Sequence, residues 1–404
     1  MKSFKLSLSP EEQSLLISRE ALKKVLKYQH VGFHDLPHRQ SLWEAVEAVA
    51  QRWKGKFDKI AVIGIGGSSL GPQVIAQCLH LENIHFLENV DGLNLQHQLK
   101  SLNQPERVVW IFSSKSGSTI ETLATIDALE NHYQSLNQKL GPMGAVISEK
   151  KDNPLTRWGQ KKGFEFLEIP LDVGGRFSVL TAVGLLPAAL AGVKIQDLQR
   201  GALAALENPQ WIENAVAVQL KSFKENRNIS VFWFYCASGV ALGRWVQQLW
   251  AESIGKKTTR QGLPAPLTST PVLAMGSVDQ HSTLQQMMEG QQDKVFWFFK
   301  FSDVEAAWPV KASTFDELGV LKNKSLGELI KAQSLATQKA LAETGAPTMQ
   351  VQYDDLSAET LGHFFMSLEL VVATLAEALD LNAFDQPGVE RGKILALELL
   401  RSPM

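Results

Sequence analysis

The chain has 404 residues, 45% hydrophobic and 20% charged, with a formal net charge of -2. Such a balance suits a globular chain of two large domains, or one domain with a sizeable satellite, and offers no basic surface for nucleic acid. Cys78 and Cys236 are the only cysteines and lack CxxC spacing, which argues against a disulfide framework or zinc site and points to a reducing cytoplasm.

Met1 to Gln13 alternates charged and apolar residues and lacks the apolar core of a signal peptide. Residues 10–54 read as helical, with Leu15, Leu16, Leu22, Val25 and Leu26 near helical period. An α/β block follows. Ile60 to Ile65 reads as a buried strand ending in glycines, and a helix follows from Pro72 to Leu79. Further strands are expected at Ile84–Leu87, Val108–Ser113, Gly144–Ser148 and Phe164–Ile169, with helices between most of them. The longest apolar stretch, Val179 to Val193, is interrupted by Pro187 and Gly192. It falls short of the ~20 residues of a membrane span and reads as a buried core helix.

Asn208 to Asn226 reads as a connecting helix into a second block, with strands at Ser230–Tyr235, Pro271–Met275, Val295–Phe299 and Thr348–Gln352. Thr360 to Leu400 is again helical. Short apolar strands alternating with helices predict an α/β fold with parallel sheets covered on both faces. Gly67-Ser-Ser-Leu-Gly71 follows the first strand of one block, and Gly239-Val-Ala-Leu-Gly243 the first strand of the other. This faint echo suggests two related α/β units.

The most informative segment is Ser113-Ser114-Lys115-Ser116-Gly117-Ser118-Thr119. A strand running into a hydroxyl-rich loop and then a helix N-terminus is suited to hold a phosphate: hydroxyls and backbone N–H groups donate, Lys115 adds charge, and the helix dipole favours an anion. It is not a P-loop, because Lys115 precedes Gly117 instead of following the last glycine. Ser118 or Thr119 is placed to cap the next helix, with Glu121 near the capping-box position. The bland alternative is a serine-rich surface turn. Gly64-Ile-Gly-Gly-Ser-Ser-Leu-Gly71 is a glycine-rich turn after a strand. A dinucleotide fingerprint, with Glu88 as the ribose acid, is one reading, but position 69 is serine and breaks the Gly-x-Gly-x-x-Gly spacing. A phosphate or sugar cradle and a turn needed only for packing are the others.

Four further segments carry chemistry-bearing residues. In Asp172-Val-Gly-Gly-Arg176-Phe-Ser178, two glycines let the arginine point into a cleft, where a guanidinium suits a developing oxyanion; a surface salt bridge is the alternative. Arg244, Gln248 and Glu252 share a helix face that Gly255 ends, so Glu252 is a candidate base within what otherwise reads as a solvated stripe. His281 follows a strand in Gly276-Ser-Val-Asp-Gln-His-Ser282 and is a candidate proton carrier, although a lone histidine is usually structural. Lys393 stands near the start of a helix fed by Phe384-Asp-Gln-Pro-Gly388, against the dipole and available to an anionic or carbonyl ligand. His30, His34 and His38 mimic a metal stripe, but Gly32 and Pro37 interrupt any helix there.

In joint order and spacing these segments closely resemble the glucose-6-phosphate isomerase family in its shorter bacterial form. The match runs from about residue 58 to 393 through Gly64–Pro72, Ser114–Thr119, Gly174–Ser178, Gln248–Lys256, Asp279–Ser282 and Phe384–Glu390. Ile254 and Arg391 depart from what is common in the family. The resemblance implies two sugar-isomerase (SIS) domains, each a mainly parallel sheet in an α/β/α sandwich. The expected organisation is an N-terminal helical segment 1–54, SIS domains 55–207 and 208–359, and a C-terminal helical segment 360–404 that completes the site.

The resemblance further implies interconversion of glucose 6-phosphate and fructose 6-phosphate in the cytoplasm, with no cofactor, metal, nucleic acid or membrane. It implies a homodimer whose active sites are shared, with a histidine from the partner chain. By carry-over, Ser114, Lys115, Ser116 and Thr119 hold the 6-phosphate and Gly67 and Ser68 line the site. Glu252 is the base, Arg176 stabilises the enediolate, His281 and Lys393 assist ring opening, and Glu121 orients His281. Gln248 and Gln386 line the pocket. The competing class is a non-catalytic sugar-phosphate sensor, which needs the phosphate loop but not Glu252, Arg176 and His281 together.

Overall fold

The computed structural model describes residues 1–311 and 315–401. Its strands are, in chain order, β1 (Ser3–Leu6), β2 (Lys59–Ile63), β3 (Ile84–Leu87), β4 (Val108–Ser113), β5 (Gly144–Ser148), β6 (Glu165–Glu168), β7 (Ile229–Phe234), β8 (Thr270–Met275), β9 (Lys294–Phe301), β10 (Pro309–Val310), β11 (Lys324–Ser325) and β12 (Thr348–Tyr353). One sheet has the order β3-β2-β4-β5-β6 and is parallel throughout. The other has the order β1-β12-β9-β7-β8, with only β1 antiparallel. β10 and β11 form a short separate ribbon.

β4 and β9 are buried at every position. Strands of that kind have no face for water, so helices must cover both sides of each sheet, as the run of apolar residues predicts. Lys294 and Lys300 are tolerated in β9 because each meets a carboxylate, Asp293 at 2.7 Å and Glu305 at 3.3 Å. A large core joins the two halves, and smaller clusters lie under the outer helices of each sheet. Helix Leu70–Cys78 of the first half contacts helix Gly239–Ile254 of the second. Each follows the first strand of its block, where the two Gly-x-x-Leu-Gly segments stand.

Helix Ala358–Ala378 packs against helices Glu12–Val25, Ile195–Glu207, Gln210–Lys224 and Gly239–Ile254. It is buried at every position from Leu361 to Ala376. By length and composition it is apolar enough to cross a membrane, yet 89% of its most apolar window is buried inside the chain. It is thus a core helix, and a more span-like one than Val179–Val193, which contains the buried helix Ala182–Leu190.

Three expectations need correction. Within residues 1–54, Ser3–Leu6 is a strand, paired with β12. Its alternation of charged and apolar residues is the period-two signature of a half-buried edge strand, with Phe4 against Trp211 at 5.4 Å between ring centroids. The helical reading of 10–54 is also interrupted, since Glu12–Val25 and Gln40–Trp53 flank a 3-10 turn at Phe33–His38. His30 precedes that turn, so the three histidines share no helix face. Finally, 360–400 is not one helical tract. Asp380, at φ 57°, ends the core helix, and Pro387 begins a turn leading into helix Glu390–Arg401.

Candidate active site

In the first sheet β3 lies to one side of β2 and β5 and β6 lie beyond β4, so the strand order reverses between β2 and β4. Open α/β sheets bind ligands at that point, beyond the carboxyl ends of the strands. A cleft of about 540 Å³ opens there. The loop after β2 supplies Gly67 and Ser68, the loop after β4 supplies Lys115, Ser116, Thr119 and Glu121, and Glu149 follows β5. Arg176 comes from the turn after β6, Gln248 and Glu252 from helix Gly239–Ile254, and Gln386 and Lys393 from the C-terminal tract. A Cβ on Gly67 would lie 2.3 Å from the Gly175 carbonyl oxygen, so only glycine lets these two walls meet.

The Ser113–Thr119 loop is closed on itself. Ser114 Oγ lies 2.8 Å from Thr119 Oγ1 and accepts from the Gly117 N–H at 3.1 Å. Ser114 is therefore buried and shapes the loop instead of lining the cleft. Thr119 stands at the N-cap of helix Ile120–Ser135 but makes no side-chain cap, and the capping box expected with Glu121 is not formed. Its hydroxyl is taken by Ser114. Ser118 N and Oγ both donate to Ser116 Oγ, at 3.3 and 3.1 Å. Gly117 has φ +64°, a conformation glycine adopts without cost.

Arg176 is the most constrained residue of the cleft. Its side chain is only 3% exposed. Nε donates to Ser253 Oγ at 2.8 Å, and Nη1 donates to Glu252 Oε2 at 3.0 Å and to Gln386 Oε1 at 2.9 Å. Nη2 donates to the Ala383 and Asp385 carbonyl oxygens. Burial pushes the guanidinium below its ordinary pKa, and Glu252 and Asp385 pull it back. Arginine remains charged under such pressure, so the site holds a fixed cation aimed at its carboxylate. The other oxygen of Glu252, Oε1, accepts from Gln248 Nε2 at 3.1 Å. The i, i+4 stripe is thus a working face at Gln248 and Glu252. Arg244 is its exposed end and pairs with Glu88 at 3.7 Å.

Glu88 also accepts from Ser69 Oγ at 3.0 Å and from Gln73 Nε2. Its carboxylate is engaged in packing the glycine turn, which removes support for a ribose-binding role. Lys256, which ends the Gln248–Lys256 motif, has a structural part of its own. Its side chain, 7% exposed, pairs with Asp385 Oδ1 at 2.8 Å, and burial lowers its pKa while Asp385 opposes the shift. Arg176 and Lys256 together pin the Ala383–Gln386 loop. Lys393 is exposed in the first turns of helix Glu390–Arg401 and pairs with Glu390 at 2.7 Å.

His281 does not line this cleft. It is exposed at the end of a 3-10 turn, Val278–His281, after β8. Asp279 braces that turn by accepting from Met275 N at 2.7 Å and Ser282 Oγ at 2.7 Å. Gln280 ties it to Thr337 of helix Leu326–Glu343. Glu149 was missed altogether. It lies in a run of charges, and the only available signal was its position directly after β5, level with the other cleft residues. Ile254 is fully buried in the core and Arg391 pairs with Glu398 at 3.9 Å, so neither departure touches the cleft.

The phosphoglucose isomerase family model matches residues 36–296, more than half of the chain. A glucose-6-phosphate isomerase of Rubrobacter xylanophilus is 34% identical over 399 residues, which cover 92% of this chain and 89% of that protein. The crystal structure of a hypothetical protein from Thermus thermophilus is 30% identical with a TM-score of 0.88, covering 99% of this chain and 100% of that one. The crystal structure of a glucose-6-phosphate isomerase from Chlamydia trachomatis shares the fold, with a TM-score of 0.81 at 20% identity, covering 96% and 84%. The paired sheets, parallel but for β1, are the fold shared with that structure. On sequence, fold and the gathering of its motifs at one sheet crevice, the chain belongs to the phosphoglucose isomerase family and is an isomerase of sugar metabolism.

Proposed function

We propose that the chain interconverts glucose 6-phosphate and fructose 6-phosphate through a cis-enediol(ate). The observation that carries this reading is a single cleft lined both by the Lys115 loop and by the hydrogen-bonded pair Arg176 and Glu252. The first suits a phosphate, the second a proton transfer at carbon with charge developing on oxygen.

In this account Lys115, Ser116, Thr119 and the loop amides hold the 6-phosphate, with Ser114 shaping the loop and Gly67 and Ser68 forming the facing wall. The phosphate end positions the carbon skeleton and uses binding energy remote from the reacting bond. Lys393 assists ring opening. Glu252 removes the proton from C2 and returns it to C1, and the reverse reaction runs the same path. Proton transfer of this kind contributes about 10²–10⁴-fold. Arg176 stabilises the enediolate oxygen from a buried, prearranged position. Gln248 and Gln386 hold Glu252 and Arg176 in register. The reaction needs no metal or cofactor.

The active unit is a homodimer with shared sites. His281 is exposed and braced yet outside its own cleft, which supports its reaching the cleft of a second copy, beside that copy's Glu121. Helix Glu390–Arg401 exposes Ile394, Leu395, Leu397, Leu399 and Leu400, an apolar surface that supports association. On this reading the chain serves glycolysis and gluconeogenesis in the cytoplasm, where the buried free thiols of Cys78 and Cys236 stay reduced.

A coupled assay of fructose 6-phosphate conversion in the presence of EDTA tests the proposal. Glucose 6-phosphate formation with EDTA present is expected. No conversion, or conversion only after metal is restored, contradicts it.

A further inference from the structure

We infer that Glu149 is a charge gate on the phosphate loop, a carboxylate that competes with the substrate's phosphate for Lys115 and so sets how tightly the anion is held. The inference rests on the phosphate-loop reading above and concerns a residue to which that reading assigns nothing.

Glu149 lines the cleft with Lys115 and Ser116, and its side chain is 11% exposed. Oε1 lies 3.4 Å from Lys115 Nζ and Oε2 lies 2.9 Å from Lys151 Nζ. The backbone fixes this placement. Glu149 N donates to the Lys115 carbonyl oxygen at 3.0 Å, and Ser148 Oγ donates to the same oxygen at 3.2 Å. Leu155 N donates to the Gly117 carbonyl oxygen at 3.1 Å, and Asn153 Nδ2 donates to Ser148 Oγ at 3.2 Å. The two loops are laced together, so the backbone of Glu149 is held beside that of Lys115.

A carboxylate held this way has a physical consequence. A phosphate that takes Lys115 must share it with Glu149 or displace it, and in either case sits near a like charge. Repulsion between neighbouring anions in a half-exposed cleft weakens binding and speeds release. A loop made only of Lys115, hydroxyls and amides would hold any phosphate, inorganic phosphate included. Glu149 lowers that general affinity and leaves the rest of the substrate to supply the difference. Glu149 is thus a competitor for Lys115 and a determinant of anion affinity, not a catalytic residue.

Calorimetric titration with inorganic phosphate tests this on the full chain and its Glu149→Gln, Glu149→Ala and Lys115→Ala variants. The gate predicts that both Glu149 variants bind phosphate about fivefold to thirtyfold more tightly, the size of one or two unit-charge repulsions near 4 Å in water. It also predicts a lower KM for fructose 6-phosphate. A Glu149 side chain that merely orients Lys115 gives the opposite sign, so unchanged or weaker phosphate binding in a folded Glu149 variant overturns the gate. If Glu149→Gln fails to fold, Glu149→Ala decides on the same criterion. Lys115→Ala separates the two readings: it should lose phosphate binding whatever Glu149 does. If Lys115→Ala binds phosphate as the wild type does, the phosphate-loop reading fails and the gate fails with it.

Discussion

Arg176 Nη1 donates to Glu252 Oε2 at 3.0 Å, although the two residues are 76 positions apart, one in the turn after β6 and the other on helix Gly239–Ile254. The proposed base and the cation proposed to stabilise its product are therefore one hydrogen-bonded unit. Gln248 holds the other carboxylate oxygen, so the direction of the Glu252 lone pairs is set before substrate arrives.

Arg176→Lys should strip that unit of its fork. A lysine cannot serve Glu252, Ser253, Gln386 and two backbone carbonyls at once. The expected result is a fall in kcat of about 10²–10³, as for loss of an oxyanion donor, with a smaller change in KM. Steady-state kinetics with fructose 6-phosphate measures both, and an unchanged kcat would remove Arg176 from the transition state.

Lys115→Ala should act mainly on KM. Loss of one charge-assisted hydrogen bond, about 1.5–3 kcal/mol, corresponds to a KM increase of roughly tenfold to a hundredfold. A fall confined to kcat would mean that the phosphate is held elsewhere.

Gly117→Ala should disturb binding and stability together. At φ +64° a Cβ would lie 1.9 Å from Asn153 Oδ1. That oxygen caps helix Pro154–Lys162 by accepting from Thr156 N at 2.9 Å. The left-handed backbone alone costs about 1–2 kcal/mol. A lower midpoint in denaturant and a raised KM are expected; wild-type values for both would show that the loop does not need its glycine.

Glu369→Met should stabilise the fold, and increasingly so as pH rises. Glu369 lies in the core helix with both carboxyl oxygens buried and without hydrogen-bond partners. Burial raises its pKa well above the ordinary value of 4.5. The folded chain keeps the proton while the unfolded chain releases it above that ordinary value. Unfolding is therefore favoured progressively as pH climbs from the unfolded pKa towards the folded one. Relieving an unpartnered buried polar group should be worth about 1–3 kcal/mol. Thermal melts at pH 5 and pH 8 check this: the gain should be larger at pH 8, and a gain independent of pH would contradict the account.

Much of the fold was legible because its strands are short, apolar and bounded by turn residues; β3, β4 and β5 have the limits read from sequence. β1 was hidden because an edge strand of alternating residues needs a partner, and β12 lies more than 340 positions away. Of the candidate site, the Ser113–Thr119 loop was legible from composition as a candidate anion cradle, since a strand, hydroxyls, a lysine and a helix start are contiguous. Glu252 and Arg176 were not separable from solvated charges on local grounds. What distinguishes them is mutual contact, along with carbonyls supplied by residues 383 and 385, and no local pattern carries that. Family resemblance named both residues for the site in advance, but not their contact. Glu149 escaped even so, because its neighbours Lys150, Lys151 and Asp152 make it look like an ordinary exposed run.

The central claim is that Glu252 moves a proton between C2 and C1. Its most direct test is solvent deuterium incorporation into glucose 6-phosphate and fructose 6-phosphate, followed by NMR for the wild type and for Glu252→Gln. The wild type should place deuterium at the transferred positions during turnover. Glu252→Gln should still bind fructose 6-phosphate yet lose both exchange and isomerisation. Exchange at the wild-type rate in Glu252→Gln would show that another group is the base.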